Sequence, residues 1–103
     1  MTCPIRIVLI EPSHPGNIGA VARAMKNMAL EDLCLVRPRQ FPDPEASARA
    51  SAATDVLAGA RLCGSVDEAI ADCGFVVGTT SRPRNHNWTV FTPHDLAGQV
   101  AAL

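Results

Sequence analysis

The chain is poor in aromatic residues. Three phenylalanines, one tryptophan and no tyrosine stand among 103 residues, so Val, Ile, Leu and Ala carry the apolar fraction. That balance suits a sheet covered by Ala-rich helices and argues against an all-β sandwich. An excess of charge is also missing. Nine Lys and Arg face ten Asp and Glu, for a net charge of −1. Nothing global marks a nucleic-acid binder, and any site for a polyanion has to be local. No apolar run approaches the length of a membrane span. The segment Met1–Arg6 lacks the basic stretch and long apolar core of a signal peptide. Cys3, Cys34, Cys63 and Cys73 form no C-x-x-C pair. Two of them, Cys34 and Cys63, sit inside strand-like runs, where a free thiol behaves as a small hydrophobe. Structural thiols are therefore expected, with neither metal nor disulfide, in a reducing cytoplasm. His86 and His94 have no partners at metal-ligand spacing, and metal catalysis has no support.

Apolar residues make up 48% of the chain, enough to bury a modest core in one domain. Strand-like and helix-like runs alternate. Ile5–Ile10 precedes a helix near Gly16–Ala29, and Leu33–Val36 follows. After a proline-bearing loop, Arg37–Pro44, comes an Ala-rich helix within Glu45–Ala58. A short strand, Arg61–Cys63, leads to Ser65-Val-Asp-Glu68, a capping-box pattern that starts a helix ending near Asp72. Phe75–Thr80 reads as a fourth strand. Thr92-Pro-His-Asp95 then supplies a cap residue, a proline at the first helical position and an acid in the first turn. This alternation predicts an α/β fold, a parallel sheet with helices on both faces.

The most informative stretch is Pro15-Gly-Asn-Ile-Gly-Ala-Val-Ala-Arg-Ala-Met-Lys-Asn-Met28. It follows a buried strand directly, at the kind of junction where open α/β sheets bind ligands. At about 100° per residue, Ile18, Val21, Ala22, Met25, Met28 and Ala29 share an arc of roughly 120°, the core-facing stripe. Arg23 projects roughly 160° from the centre of that stripe, and Lys26 and Asn27 also lie outside it. Asn17 stands at the helix start, where its side chain can cap the helix or reach a ligand. Gly16 and Gly19 permit close backbone approach. The spacing is not the G-x-G-x-x-G of a dinucleotide site, and the Gly-Lys-Ser/Thr of a P-loop is missing.

The segment Asn17-Ile-Gly-Ala-Val-Ala-Arg23 resembles the first motif, N-x-G-x-x-x-R, of the SpoU branch of the SPOUT RNA methyltransferases. The wider string Arg6–Met25 is similar to the TrmJ subgroup, whose members 2′-O-methylate a pyrimidine at position 32 of the tRNA anticodon loop. The similarity continues through Asp55-Val-Leu57, Asp67-Glu-Ala69 and Val76–Arg82. It implies S-adenosylmethionine as cofactor, tRNA as substrate and a homodimer across which the active site forms. It also implies that residues 1–103 are the Rossmann-like N-terminal part of a SPOUT domain. The family's C-terminal trefoil knot carries a G-x-E-x-x-G-L loop and an S-L-N-x-S segment. Neither motif occurs in this chain, so most of the cofactor site is expected outside it and the isolated chain is expected to be inactive.

By the same resemblance Arg23 and Asn17 are the catalytic pair, and Thr79, Thr80 and Ser81 match a segment that contacts the adenosyl group. Those hydroxyls also follow a strand-like run, at the carboxyl edge of the expected sheet. A guanidinium stays protonated in practically any protein site, which favours Arg23 as stabiliser of a developing alkoxide or clamp on a phosphate. Ser13, His14, Lys26, Arg82 and Arg84 are the candidate RNA contacts, with Arg37 and Arg39 extending a basic rim. His14 can be a hydrogen-bonded loop residue or an RNA contact. Trp88 can stack on an unpaired base or pack within a fold or interface. A non-catalytic RNA-binding or dimerisation module derived from the same fold is the alternative reading.

Overall fold

The computed structural model describes residues 4–79 and 92–102. They fall into two compact units, Pro4–Phe75 and a second that holds the described residues after it, 76–79 and 92–102. In the first unit, β1 (Arg6–Ile10), β2 (Asp32–Val36) and β3 (Arg61–Cys63) form a parallel sheet in the order β1-β2-β3. Arg6 stands opposite Asp32, and Cys34 opposite Arg61. Helices α1 (Pro15–Asn27), α2 (Pro44–Ala50) and α3 (Thr54–Ala58) pack on one face, and α4 (Val66–Ile70) on the other. The α/β expectation holds for this unit. In the second, α5 (Pro93–Ala101) begins where the sequence pattern places it, with Thr92 Oγ1 accepting from the Asp95 N–H at 3.2 Å.

β2 is central and buried on both sides, as a near-continuous apolar run in a parallel sheet should be. Leu33 and Leu35 point to one face, where they meet Ile18, Ala22 and Met25 of α1, Ala46 and Ala50 of α2, and Val56 and Leu57 of α3. Cys34 and Val36 point to the other, against Ala69 of α4. Each large side chain so enclosed contributes about 1.5–3 kcal/mol by burial. Burial also pushes the Cys34 thiol up to about 11, with further help from the neighbouring Cys63 sulfur, so Cys34 remains a packing thiol.

Three expectations change. Met28 and Ala29 are exposed and leave the α1 stripe, because the helix stops at Asn27. Ala29, at φ 58°, turns the chain, and the Leu30 N–H closes back on the Met25 carbonyl at 2.8 Å. The single helix expected within Glu45–Ala58 is two, parted at Ser51, at φ 53°, by a 3-10 turn over Ser51–Ala53. A straight helix would meet α1 at one crossing, whereas α2, the turn and α3 all touch it. Finally, residues 76–79 of the expected fourth strand belong to no ladder. Strand propensity makes a strand only where a neighbour is available to pair.

The amino edge of the sheet is fastened by a residue that the motifs do not single out. Arg6 donates to Asp32 Oδ2 at 3.0 Å, to the Ala69 carbonyl at 2.8 Å and to both Asp72 carboxylate oxygens at 2.6 and 3.1 Å. Asp32 also accepts from Arg61 at 2.9 Å. One cluster thereby joins the starts of all three strands to the end of α4. The Arg6 hydrogen bonds hold the Asp72 carboxyl down at about 2. Because that value is depressed in the folded state, the stabilisation is complete above the ordinary carboxylate range and is lost as pH falls toward 2. Carboxyl-carbon NMR is expected to show Asp72 still ionised at pH 3. Titration near pH 4 would contradict the bidentate contact.

Candidate functional site

The site starts where β1 and β2 end. Glu11, at φ 50°, follows β1 and donates its N–H to the Val36 carbonyl at 2.7 Å. Arg37, at φ 48°, follows β2 and donates likewise to Cys63 at 3.1 Å. Left-handed backbone is uncommon for such residues, and here the same turn closes two successive strands. The Arg37 guanidinium donates to the Glu11 carboxylate, and the Arg39 N–H donates to the Pro12 carbonyl at 3.2 Å. The two loops are thus stitched together at the carboxyl edge of the sheet, leaving Ser13 and His14 exposed.

His14, rather than Asn17, caps α1. Its Nδ1 accepts from the Gly16 N–H at 3.2 Å, and Pro15 takes the first helical position. Proline has no N–H to satisfy, so the cap falls one turn earlier than the asparagine suggests. With Nδ1 engaged as an acceptor, neutral His14 carries its proton on Nε2 and presents a donor to solvent. Asn17 is left in the first turn with its side chain exposed and without a hydrogen-bond partner for that side chain among the described residues.

Arg23 lies six residues farther, about 9 Å along the helix axis at 1.5 Å per residue. The motif therefore presents two patches, one at the sheet edge and one down the helix. Arg23 is exposed and makes no ion pair among the described residues. Lys26, one turn on, is paired with Asp55 of α3 at 2.6 Å, which holds the Asp55 carboxyl below its usual range. Arg23, Lys26 and Asn27 line one side of a 250 Å³ cleft whose other side is Ala50–Ala53. A second hollow of 380 Å³ is walled by Phe41, Leu57 and Leu62 among others, and no candidate residue borders it.

The glycines of the motif serve packing. A methyl group on Gly19 would overlap the Ala46 carbonyl oxygen and lie 2.9 Å from Arg49 Cβ. The close approach is that of α2. Of the candidate cofactor residues, Thr79 is exposed outside any strand, and Thr80 and Ser81 lie outside the described residues, as do Arg82, Arg84, His86 and Trp88. Among the described residues, no group of three His, Cys, Asp or Glu is placed to hold a metal ion, and no helix is long and apolar enough to cross a membrane.

The parallel α/β unit that carries these residues has known counterparts. A model of the SpoU rRNA Methylase family matches residues 4–102. The chain belongs to that family. It is 50% identical over 93 residues to the tRNA (cytidine/uridine/adenosine-2′-O-)-methyltransferase TrmJ of Pseudomonas aeruginosa, covering 90% of this chain and 36% of that protein. It is equally identical over 91 residues to the Escherichia coli tRNA (cytidine/uridine-2′-O-)-methyltransferase TrmJ, covering 88% and 37%. Among solved structures, TrmJ from Z. mobilis ZM4 superposes with a TM-score of 0.90 at 42% identity, over 98% of this chain and 45% of that one. A probable methylase family protein from Haemophilus influenzae gives 0.89 at 46%, over 97% and 42%. The chain spans little more than a third of the length of those two TrmJ relatives from Pseudomonas and Escherichia.

Of the residues that line this cleft, the sequence pattern singles out Arg23 and Lys26 as candidates and passes over Asn27 and Ser51. Asn27 is legible as a residue outside the core stripe. Ser51 reaches the cleft through the break after α2, which helical periodicity alone does not reveal.

Proposed function

We propose that this chain is the RNA-facing part of an S-adenosylmethionine-dependent tRNA 2′-O-methyltransferase, acting on a pyrimidine at position 32 of the anticodon loop. In this reading residues 1–103 are a partial SPOUT domain, working as a homodimer in the cytoplasm. The observation that carries it is Arg23: an exposed guanidinium with no ion pair among the described residues, on the outer face of α1 and beside Lys26 in the lining of a cleft, in a chain of this family. The named activities of the TrmJ relatives support the substrate.

S-adenosylmethionine supplies a methyl group carried on a cationic sulfonium. The cleft, with Arg23 and Lys26 on its wall, has the wrong charge for that cation, and among the candidate cofactor residues only Thr79 is described. The cofactor is therefore assigned mainly to residues outside this chain, with Thr79, Thr80 and Ser81 as its contribution.

The chain's own chemistry concerns the acceptor. A ribose 2′-hydroxyl gains negative character as it loses its proton, and a fixed guanidinium beside it lowers the energy of that state. Arg23 is suited to this electrostatic task and unsuited to removing the proton, because it does not give up its own. Asn17 holds the ribose side near the helix start. Ser13, and His14 through Nε2–H, offer donors to phosphate at the sheet edge, and Arg82 and Arg84 extend those contacts. Cells deleted for the gene are expected to lose a 2′-O-methylated pyrimidine from the anticodon-loop fragment of tRNA, and complementation is expected to restore it. An unchanged nucleoside profile would sink the proposal.

A further inference from the structure

The α1 cleft holds more than the arginine that the family motif marks. Its wall combines a permanent cation, Arg23, with the amide of Asn27 and the ammonium of Lys26, facing a floor of small residues, Ala50–Ala53, that includes the Ser51 hydroxyl. At 250 Å³ it falls below the roughly 300–1,000 Å³ of pockets that enclose drug-sized ligands. It fits an anionic group with part of its sugar better than a whole nucleotide. The small floor leaves the polar wall accessible.

The third feature is a competitor. Asp55, from α3, holds the Nζ of the wall residue Lys26 at 2.6 Å, with both side chains about half or more exposed. An arriving phosphate meets Lys26 already paired. Such an exposed pair is weak and screened by salt, so Lys26 can exchange one oxyanion for another.

We infer that this cleft seats a backbone phosphate of the substrate RNA beside Arg23, gripped by Asn27 and Lys26, and that Asp55 moderates the grip by competing for Lys26. The inference rests on the reading of the substrate as RNA. It adds two residues, Asn27 and Asp55, and a direction of effect that is unusual for a surface substitution. Removing Asp55 should strengthen binding.

The test uses the full-length methyltransferase containing this chain and an unmodified tRNA transcript, with equilibrium binding measured between 50 and 200 mM salt. D55N is expected to bind about threefold more tightly at the lower salt. Its logarithmic salt slope should be steeper by about one, the signature of one added phosphate contact. N27A is expected to bind about three- to tenfold more weakly with the slope of the parent, since an amide carries no charge. A gain in affinity cannot come from misfolding, so D55N remains informative whatever its stability. Parental affinity and slope in D55N, or parental affinity in N27A, would overturn the inference. If the parent protein itself transfers no methyl group to tRNA, the functional reading fails instead.

Discussion

Gly19→Ala is expected to destabilise the protein by about 3 kcal/mol or more, the upper end of the range for overpacking a closed core. The local preference runs the other way, since alanine is favoured over glycine inside a helix by about 1 kcal/mol. Packing reverses the sign. The added methyl would meet backbone of α2, the Ala46 carbonyl group, and not the free end of a side chain. No rotamer change relieves the overlap, so α1 and α2 must separate, taking Ile18 and Ala22 out of register with Ala46 and Ala50 in the core. Ala20→Gly, at the exposed neighbouring position, is the control and should cost only about 1 kcal/mol. Urea denaturation of both variants measures the difference through the midpoint at constant slope. A Gly19→Ala protein at least as stable as its parent would show that the two helices are not in this contact.

On the proposed function, Arg23→Ala is expected to lower methyl-transfer turnover of the full-length protein by about 10²–10³-fold, the usual effect of removing one donor to a developing oxyanion. Stability should stay within about 0.5 kcal/mol, because the side chain is exposed and unpaired among the described residues. Arg23→Lys separates a forked donor from a simple positive charge. Lysine keeps the charge but not the planar pair of N–H groups, and turnover below about a tenth of the parent is expected on the forked-donor account. Near-normal turnover with lysine would reduce Arg23 to a point charge. The measurement is single-turnover methyl transfer at saturating RNA, which separates chemistry from binding.

Much of this molecule can be read from local rules, and the exceptions share a cause. The order of β1, α1, β2, β3 and α4 follows from hydrophobic period and from caps such as Ser65, whose hydroxyl accepts from the Glu68 N–H at 3.1 Å. Arg23 is legible because one residue opposite a clean apolar stripe has to face outward. Features set by distant partners are not legible in the same way. Arg6 looks like a charge at a strand start until Asp32 and Asp72, remote in sequence, close around it. Asn17 looks like a cap until Pro15 moves the helix start to His14. The Ala-rich segment looks like one helix until its contacts with α1 require a bend at Ser51. Each involves a tertiary partner or a shifted boundary, and periodicity carries neither.

The central claim is that this SpoU-family chain presents the ribose side of a methyl-transfer site to tRNA. It is tested most directly by incubating the full-length protein with an unmodified tRNA transcript and S-adenosylmethionine, then locating the product by mass spectrometry of nuclease fragments. The expected product is a single methyl group on the ribose of the pyrimidine at position 32 of the anticodon loop, absent with Arg23→Ala. A methyl group on a base, or equal ribose methylation by Arg23→Ala, would contradict the account.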